Sequence, residues 1–296
     1  MARRRFDGTT GLAPRQREYQ GLLRREKNRV GRQLARLCVR PYGETLGSLL
    51  YLGSQHSIGC LQPLVLLAER VMQPKVHQFH RLIWRLDAGF GSDDAIKWLL
   101  ARHYQLLVKG YNSRRAVKVA SQVAPHHWQP LRPDKWIAEV PTQVRYGRRV
   151  QTLALKWYTP SDGARYALLL HTLAQLAPAQ VAQLYDARSG TIESDIKQDK
   201  LGLQLLRRRK HCWHAQEAWV ILSDLAHNLL IWSKDWMLTG SRFESYGLLR
   251  LVQDVLVIPG SLEFKGGKLV KVSLQKTHPF APEMQSCLQA LFKNLC

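Results

Sequence analysis

The chain has 296 residues, 45% of them hydrophobic, with 44 Lys and Arg against 22 Asp and Glu and a formal net charge of +22. That composition excludes whole-chain disorder, and 13 Pro and 20 Gly exclude collagen-like or low-complexity classes. The charge is the abnormal quantity, and it implies a polyanionic partner, with nucleic acid the simplest and an anionic membrane surface the competitor.

Residues 1–40 carry 12 Lys and Arg against three acids. Three arginines within Met1–Phe6 argue against a buried central strand there. RQLARLCVR and TLGSLLYLG read as strands joined by the turn Pro41–Glu44, hence a hairpin. LQPLVLLAERVM has a helical period that predicts one buried face of Leu61, Val65, Leu66, Ala68 and Val71. RLIWRL is a strand ending abruptly at Asp87, ahead of Ala88-Gly89-Phe90-Gly91. Ser92 then caps a helix, DDAIKWLLARH, and YQLLVKG is a further strand. Strand, helix and strand in this spacing make a βαβ unit, so the core is an α/β sheet.

Pro125, Pro130, Pro133, Pro141 and Pro160 break up residues 110–180, where KWIAEVPTQV, RRVQTLALKWYT and ARYALLLHTL read as antiparallel strands of a β-rich insertion. From about Thr191 the chain reads as helical again, through IESDIKQDKLGLQLLRRRK and AQEAWVILSDLAHNLLIWSKDWM. Asp224, His227 and Asn228 interrupt that second stretch, making it too polar to span a membrane. A further helix includes LLRLVQDVL, a hairpin turns at Lys265–Lys268, and a last helix covers APEMQSCLQALF. Five scattered cysteines with no CxxC pair exclude a disulfide framework or zinc ribbon, and His211-Cys212-Trp213-His214 lacks zinc-finger spacing. Trp84, Trp98, Trp219 and Trp232 fall on core-like faces.

Two carboxylates stand out. Asp87 lies where an apolar strand ends, the position at which open α/β sheets gather ligands. A turn-forming Asp is the bland alternative. Glu193, Lys197 and Lys200 are spaced i, i+4, i+7 and share one helical face, which is either a solvated Glu–Lys face or a metal-ligating carboxylate flanked by cations. Tyr185 and Arg188 lie one to two turns upstream.

At these residues the sequence resembles the DDE transposases of bacterial insertion sequences. Tyr185, Arg188, Glu193 and Lys200 are similar to that group's Tyr-Arg-Glu-Lys signature, with two residues between Tyr and Arg and six between Glu and Lys. Four residues separate Arg188 from Glu193 where the family has three, and a Ser189-Gly190 turn ahead of the helix is expected to absorb the extra one. RLDAGFGSD resembles the second catalytic Asp with its Gly-rich loop, and Asp7-Gly8-Thr9 the D-x-T motif of the first. AQEAWVILSDLAHNLLIW resembles the helix after the signature. The chain reads as N-terminally truncated relative to this group.

The resemblance implies a ribonuclease H-like mixed α/β sheet with helices on both faces, interrupted by a β-rich insertion and followed by C-terminal helices and a hairpin. The expected division is residues 1–110 for the first part of the core, 111–182 for the insertion, 183–240 for the signature helix and its successor, and 241–296 for the extension. Asp7, Asp87 and Glu193 are the implied catalytic, metal-holding residues, with Mg²⁺ or Mn²⁺ as cofactor. Tyr185, Arg188, Lys197, Lys200, Arg207 and Arg208 are the implied DNA contacts. The implied partner is duplex DNA at insertion-sequence ends and targets, bound by a homodimer on paired ends. No membrane is involved, and the setting is the bacterial cytoplasm at the nucleoid. Two alternatives stay open: a non-catalytic DNA-binding remnant, and a ribonuclease H-like metal-dependent nuclease that cuts without joining.

Overall fold

The computed structural model describes residues 2–7, 21–22, 30–40, 42–52, 58–140, 146, 150–160, 163–205 and 212–295, without the side chains of 2–7, 21–22, 30–33, 58, 188–193 and 294–295. Two compact units divide the chain. The first holds Met1–Gly8, Gln20–Leu37 and Tyr51–Ile192; the second holds Thr9–Tyr19, Cys38–Leu50 and Glu193–Cys296.

The first unit opens with β1 (Ala2–Asp7), β2 (Gly21–Leu22) and β3 (Val30–Cys38), in the order β1-β3-β2. β1 runs antiparallel to β3 from Ala2 opposite Arg36 to Asp7 opposite Gly31. Arginines at 3–5 sit in a strand at the end of the sheet, not in a central one, in keeping with the sequence expectation; the end of a sheet tolerates charge that a central position would not. The chain then turns toward β4 (Thr45–Leu52) as the predicted hairpin. Val39 N–H donates to the Glu44 carbonyl at 2.8 Å, and Gly43, at φ +81°, donates back to Val39 at 3.0 Å.

α1 (Ile58–Met72) buries Leu61, Leu64, Val65 and Ala68. Leu66 and Val71, expected on that face, are exposed, because Leu64 rather than Leu66 completes the i, i+3, i+4, i+7 stripe from Leu61. Glu69 on the same helix accepts from the buried Tyr104 hydroxyl at 2.5 Å and from the Arg102 guanidinium.

The βαβ unit forms as the sequence predicts: β5 (Ile83–Leu86), α2 (Asp93–Ala101) and β6 (Gln105–Lys109), with β5 parallel to β6. The Ser92 hydroxyl accepts from Ala95 N–H at 3.2 Å, the expected cap. Asn112 caps α3 (Ser113–Ala120), a helix the sequence reading missed inside the β-rich stretch. After it come β7 (Gln129–Arg132), β8 (Lys135–Val140), β9 (Gln151–Thr159) and β10 (Gly163–His171), then α4 (Pro178–Gly202). These strands do not form a sheet of their own. β10 pairs antiparallel with β6, so one six-stranded mixed sheet runs β5-β6-β10-β9-β8-β7.

Helices lie on both faces of this sheet. α3 covers Val140, Ala154 and Leu168 with Ala116 and Ala120. The first turns of α4 cover Leu107, Ile137, Leu153, Leu155 and Leu169 with Val181, Ala182 and Tyr185. With both faces covered, central stretches such as Ala167-Leu168-Leu169-Leu170 are buried without alternation.

The second unit contains α5 (Trp213–Ser233), extended by a π-helical turn at Lys234–Leu238, and α6 (Leu248–Arg250), extended by another at Leu251–Val255. The predicted hairpin is β11 (Gly260–Lys265) and β12 (Lys268–Leu274), and α7 (Ala281–Leu295) follows. Gly266 and Gly267 make the turn at φ +55° and +76°, a conformation that favours glycine. Leu230, Leu238, Phe243, Tyr246, Leu251 and Met284 are among the residues that build the core.

α5 is inside-out relative to its composition. Of the polar residues that interrupt its apolar sequence, Asp224 and His227 are buried and Asn228 half-buried, while Trp219, Ile221, Leu222, Leu225 and Leu229 are exposed; Trp219 is thus not the packing residue expected. The Asn228 amide clasps Thr45, accepting from its N–H at 2.8 Å and donating to its carbonyl at 2.9 Å. Ser48 donates to Asp224 at 2.8 Å, and the Trp232 indole donates to Glu44 at 2.6 Å. Among the described residues, Cys38, Cys60, Cys212 and Cys287 form no disulfide. Among the described residues, no helix is long and apolar enough to cross a membrane.

Candidate functional site

Asp87 follows Leu86, a fully buried residue at the end of β5, and starts a short 3₁₀ turn, Ala88–Phe90. Its Oδ1 accepts from Gly89 N–H at 3.0 Å, and the side chain is half-buried. Oδ2 has no protein partner among the described residues, so one oxygen is held and the other is available. The loop is pinned to the neighbouring strand: Tyr111 N–H donates to the Gly91 carbonyl at 3.2 Å. A Cβ at Gly91 would lie 2.1 Å from the Lys109 carbonyl oxygen, a backbone atom that cannot move aside, so only glycine fits.

Beside this loop, past the carboxyl ends of β5 and β6, is a cleft of about 290 Å³ between the starts of α2 and α3, with Gly91, Gly110 and Leu168 in its lining. On its wall Arg115 pairs with Asp93 at 3.0 Å, and the Tyr146 hydroxyl donates to the same carboxylate at 2.8 Å. Burial and the adjoining Asp93 carboxylate push the Tyr146 hydroxyl above its ordinary pKa, so it stays a donor. The sequence reading missed this trio; the Asn112 cap that fixes α3, and with it Arg115, was its only local signal.

α4 carries the remaining signature positions and differs from expectation. It begins at Pro178, not Thr191, and runs through Ser189-Gly190 without a turn. The extra residue is therefore not absorbed before the helix: Arg188 precedes Glu193 by five helical positions, about 140° around the axis. The first half of α4 is tied to the sheet at two points. Arg85 of β5, two residues before Asp87, donates to the Leu184 carbonyl at 3.0 Å. Lys135 of β8 donates to both Asp186 oxygens, at 3.2 and 2.9 Å. Tyr185, between them, is 7% exposed and packs into the sheet core. On this helix, 185 falls on the sheet-facing side with Val181 and Ala182.

The second half of α4 is anchored at two further points. Arg40 pairs with Asp195 at 2.6 Å. Asp199 and His227 are both fully buried and meet at 3.0 Å, while His227 Nε2–H donates to the Gly43 carbonyl at 3.0 Å. Helix geometry sets the positions of Glu193, Lys197 and Lys200 roughly 140–200° around from Asp195, on the side away from these anchors. Lys197 is exposed and Lys200 half-buried. The side chains of Asp7, Arg188 and Glu193, and all of Arg207 and Arg208, lie outside the described residues. Among the described residues no three His, Cys, Asp or Glu side chains converge as a metal site; of the three predicted carboxylates, Asp87 alone has its side chain among those described.

No curated protein matches this chain. Among solved structures it is similar to the piggyBac transposase in a synaptic complex with hairpin DNA, at a TM-score of 0.53 and 13% identity, over 85% of this chain and 50% of that one. At that identity the likeness shows a shared fold, and this chain spans half the length of that transposase. Residues 52–295, from the end of β4 through α7, match the transposase DDE domain group 1. With that match covering Asp87, the six-stranded sheet and α4, the chain belongs to the transposase DDE domain group 1 family.

Proposed function

We propose that this chain is the catalytic part of a DNA transposase that cleaves DNA at insertion-sequence ends and joins the freed strand to a target. The observation that carries this reading is the Arg85–Leu184 hydrogen bond, which ties the strand ending at Asp87 to the helix bearing Glu193. Family membership supplies the reaction class. Water attacks the scissile phosphodiester and releases a 3′-hydroxyl; that hydroxyl then attacks a target phosphodiester and displaces its bridging oxygen.

Asp87, Glu193 and Asp7 would hold divalent ions, with Mg²⁺ and Mn²⁺ the fitting choices. Asp87 fits because its Oδ1 is fixed by Gly89 while Oδ2 has no protein partner among the described residues, and hard carboxylate oxygens suit these cations. The bound ions would neutralise charge on the reacting phosphate and favour ionisation of the attacking oxygen. Lys197 and Lys200, on the side of α4 turned from its anchors, set cations against the DNA backbone, and Arg188, Arg207 and Arg208 extend that surface. Tyr185 supports the helix from beneath. The setting is a homodimer on paired ends, in the bacterial cytoplasm.

The test incubates the purified chain with DNA bearing the element's ends, with Mg²⁺ or Mn²⁺. Joined products support the proposal, and cutting without joining identifies a nuclease instead. Asp87→Asn and Glu193→Gln should each lower cleavage by about 10³-fold or more while duplex affinity changes less than about twofold. Wild-type cleavage by Asp87→Asn would overturn the assignment.

A further inference from the structure

The two faces of the distal sheet differ beyond the reach of their helices. On the α3 face, the row Ala138–Ala154–Leu168 is under the helix. One row outward the register aligns Trp136 with Lys156 and Lys156 with Tyr166 across β8, β9 and β10; of these Tyr166 packs against the α3 cluster, and Trp136 and Lys156 lie outside it. Trp128, just before β7, completes the cluster. Trp128 and Tyr166 lie with centroids 6.5 Å apart, and Trp136 meets Tyr158 edge-on at 5.6 Å and 85°. The Lys156 ammonium sits 5.9 Å from the Trp128 ring centre and 5.2 Å from that of Tyr158.

Two features set this apart from ordinary packing. Lys156 has aromatic rings and no carboxylate as partners among the described residues; Glu139, the acid of β8, falls in a register position opposite Leu153 and so belongs to the other face. Tyr158 is 52% exposed, leaving ring surface open beside an uncompensated cation. Trp128 and Tyr166 seal the core beneath α3, but Trp136, Lys156 and Tyr158 extend past it.

We propose that Trp128, Trp136, Lys156, Tyr158 and Tyr166 form a platform that binds unpaired, single-stranded DNA. Open aromatic faces accept unstacked bases of any identity, and an adjoining lysine meets the phosphates between them. Bases within a duplex are already stacked and offer these rings little. The inference rests on the reading that DNA is the partner, and adds to the duplex surface on α4 a second site for the strand that cleavage leaves unpaired.

The test measures fluorescence anisotropy of the full chain with a labelled oligo-dT of about 20 nucleotides and with a duplex of equal length. The variants are Tyr158→Ala and Lys156→Gln, each checked by its thermal melt. Each should weaken oligo-dT binding by about 10-fold and duplex binding by less than about twofold. If Tyr158→Ala does not fold, Lys156→Gln decides, since its side chain lies outside the core. Wild-type affinity for oligo-dT in the folded variants overturns the platform. Equal losses on both probes also overturn it, and identify a general phosphate contact. A wild-type chain that binds duplex but not oligo-dT overturns this inference alone. One that binds neither overturns the proposed function as well.

Discussion

His171 ends β10 with 2% exposure, and neither ring nitrogen has a hydrogen-bond partner among the described residues. Burial without a counter-charge disfavours the imidazolium and pushes its pKa from the ordinary 6.5 down to about 4. The folded state therefore holds His171 neutral, whereas the unfolded chain takes up a proton below pH 6.5. Its contribution is intact above pH 6.5, is lost as pH falls from there, and is fully lost below about pH 4. The slope approaches ~1.4 kcal/mol per pH unit and totals about 3 kcal/mol. Urea unfolding of wild type and His171→Leu at neutral and acid pH should show the variant losing about 2–3 kcal/mol less on acidification. Equal acid losses would refute the assignment. At this same scale the sequence was informative where a residue acts locally. Ser92 and Asp87 were legible because a cap and a strand end are short-range features. Arg85 was not, because an arginine alternating with apolar residues in a strand reads as solvent-facing until the helix that accepts its hydrogen bond is in place.

α4 shows what elements add to single residues. Ser189-Gly190 looks like a helix boundary, and that signal hid a start that Pro178 marks, since proline is favoured in a first helical turn. Glycine in a helix interior costs roughly 0.5–1 kcal/mol relative to alanine, whereas glycine in a turn at positive φ would be favoured over alanine. Gly190→Ala should therefore raise the stability of this chain by about 0.5–1 kcal/mol, read as a higher melting temperature. A lower one would mean that a turn interrupts the helix. α3 escaped notice for a related reason, since five prolines in its neighbourhood argued for strands and Asn112 alone signalled a helix. In α5 the period is present but its sense is inverted. Asp224 and His227 are interior, and Asn228 half-buried, because the segment around Gly43–Ser48 offers them backbone and hydroxyl partners, and no pattern within α5 contains that information. The strands β8, β9 and β10 were legible from their apolar runs. Their place in the same sheet as β5 and β6 was not, because pairing β10 with β6 joins residues some 60 positions apart.

At the scale of the whole chain, several of the described acids are already committed. Asp93, Asp186, Asp195, Glu69, Glu283 and Asp254 each pair with a cation inside the structure. A one-to-one pairing of this kind leaves the excess of 22 positive charges uncompensated, and a surface so charged draws a polyanion by releasing its counterions. That term depends on salt in a way that hydrogen bonding and packing do not. If the chain neutralises six or more phosphates of a duplex, its affinity should fall by about 10³-fold between ~50 and ~200 mM salt. Removing one phosphate contact, as in Lys197→Gln, should reduce the slope of log affinity against log salt by about one and weaken all sequences alike. Titrations at four or five salt concentrations measure both quantities. A flat wild-type slope would show that the surplus charge does not face DNA. An unchanged slope in Lys197→Gln would move the contact off the side of α4 that carries Glu193.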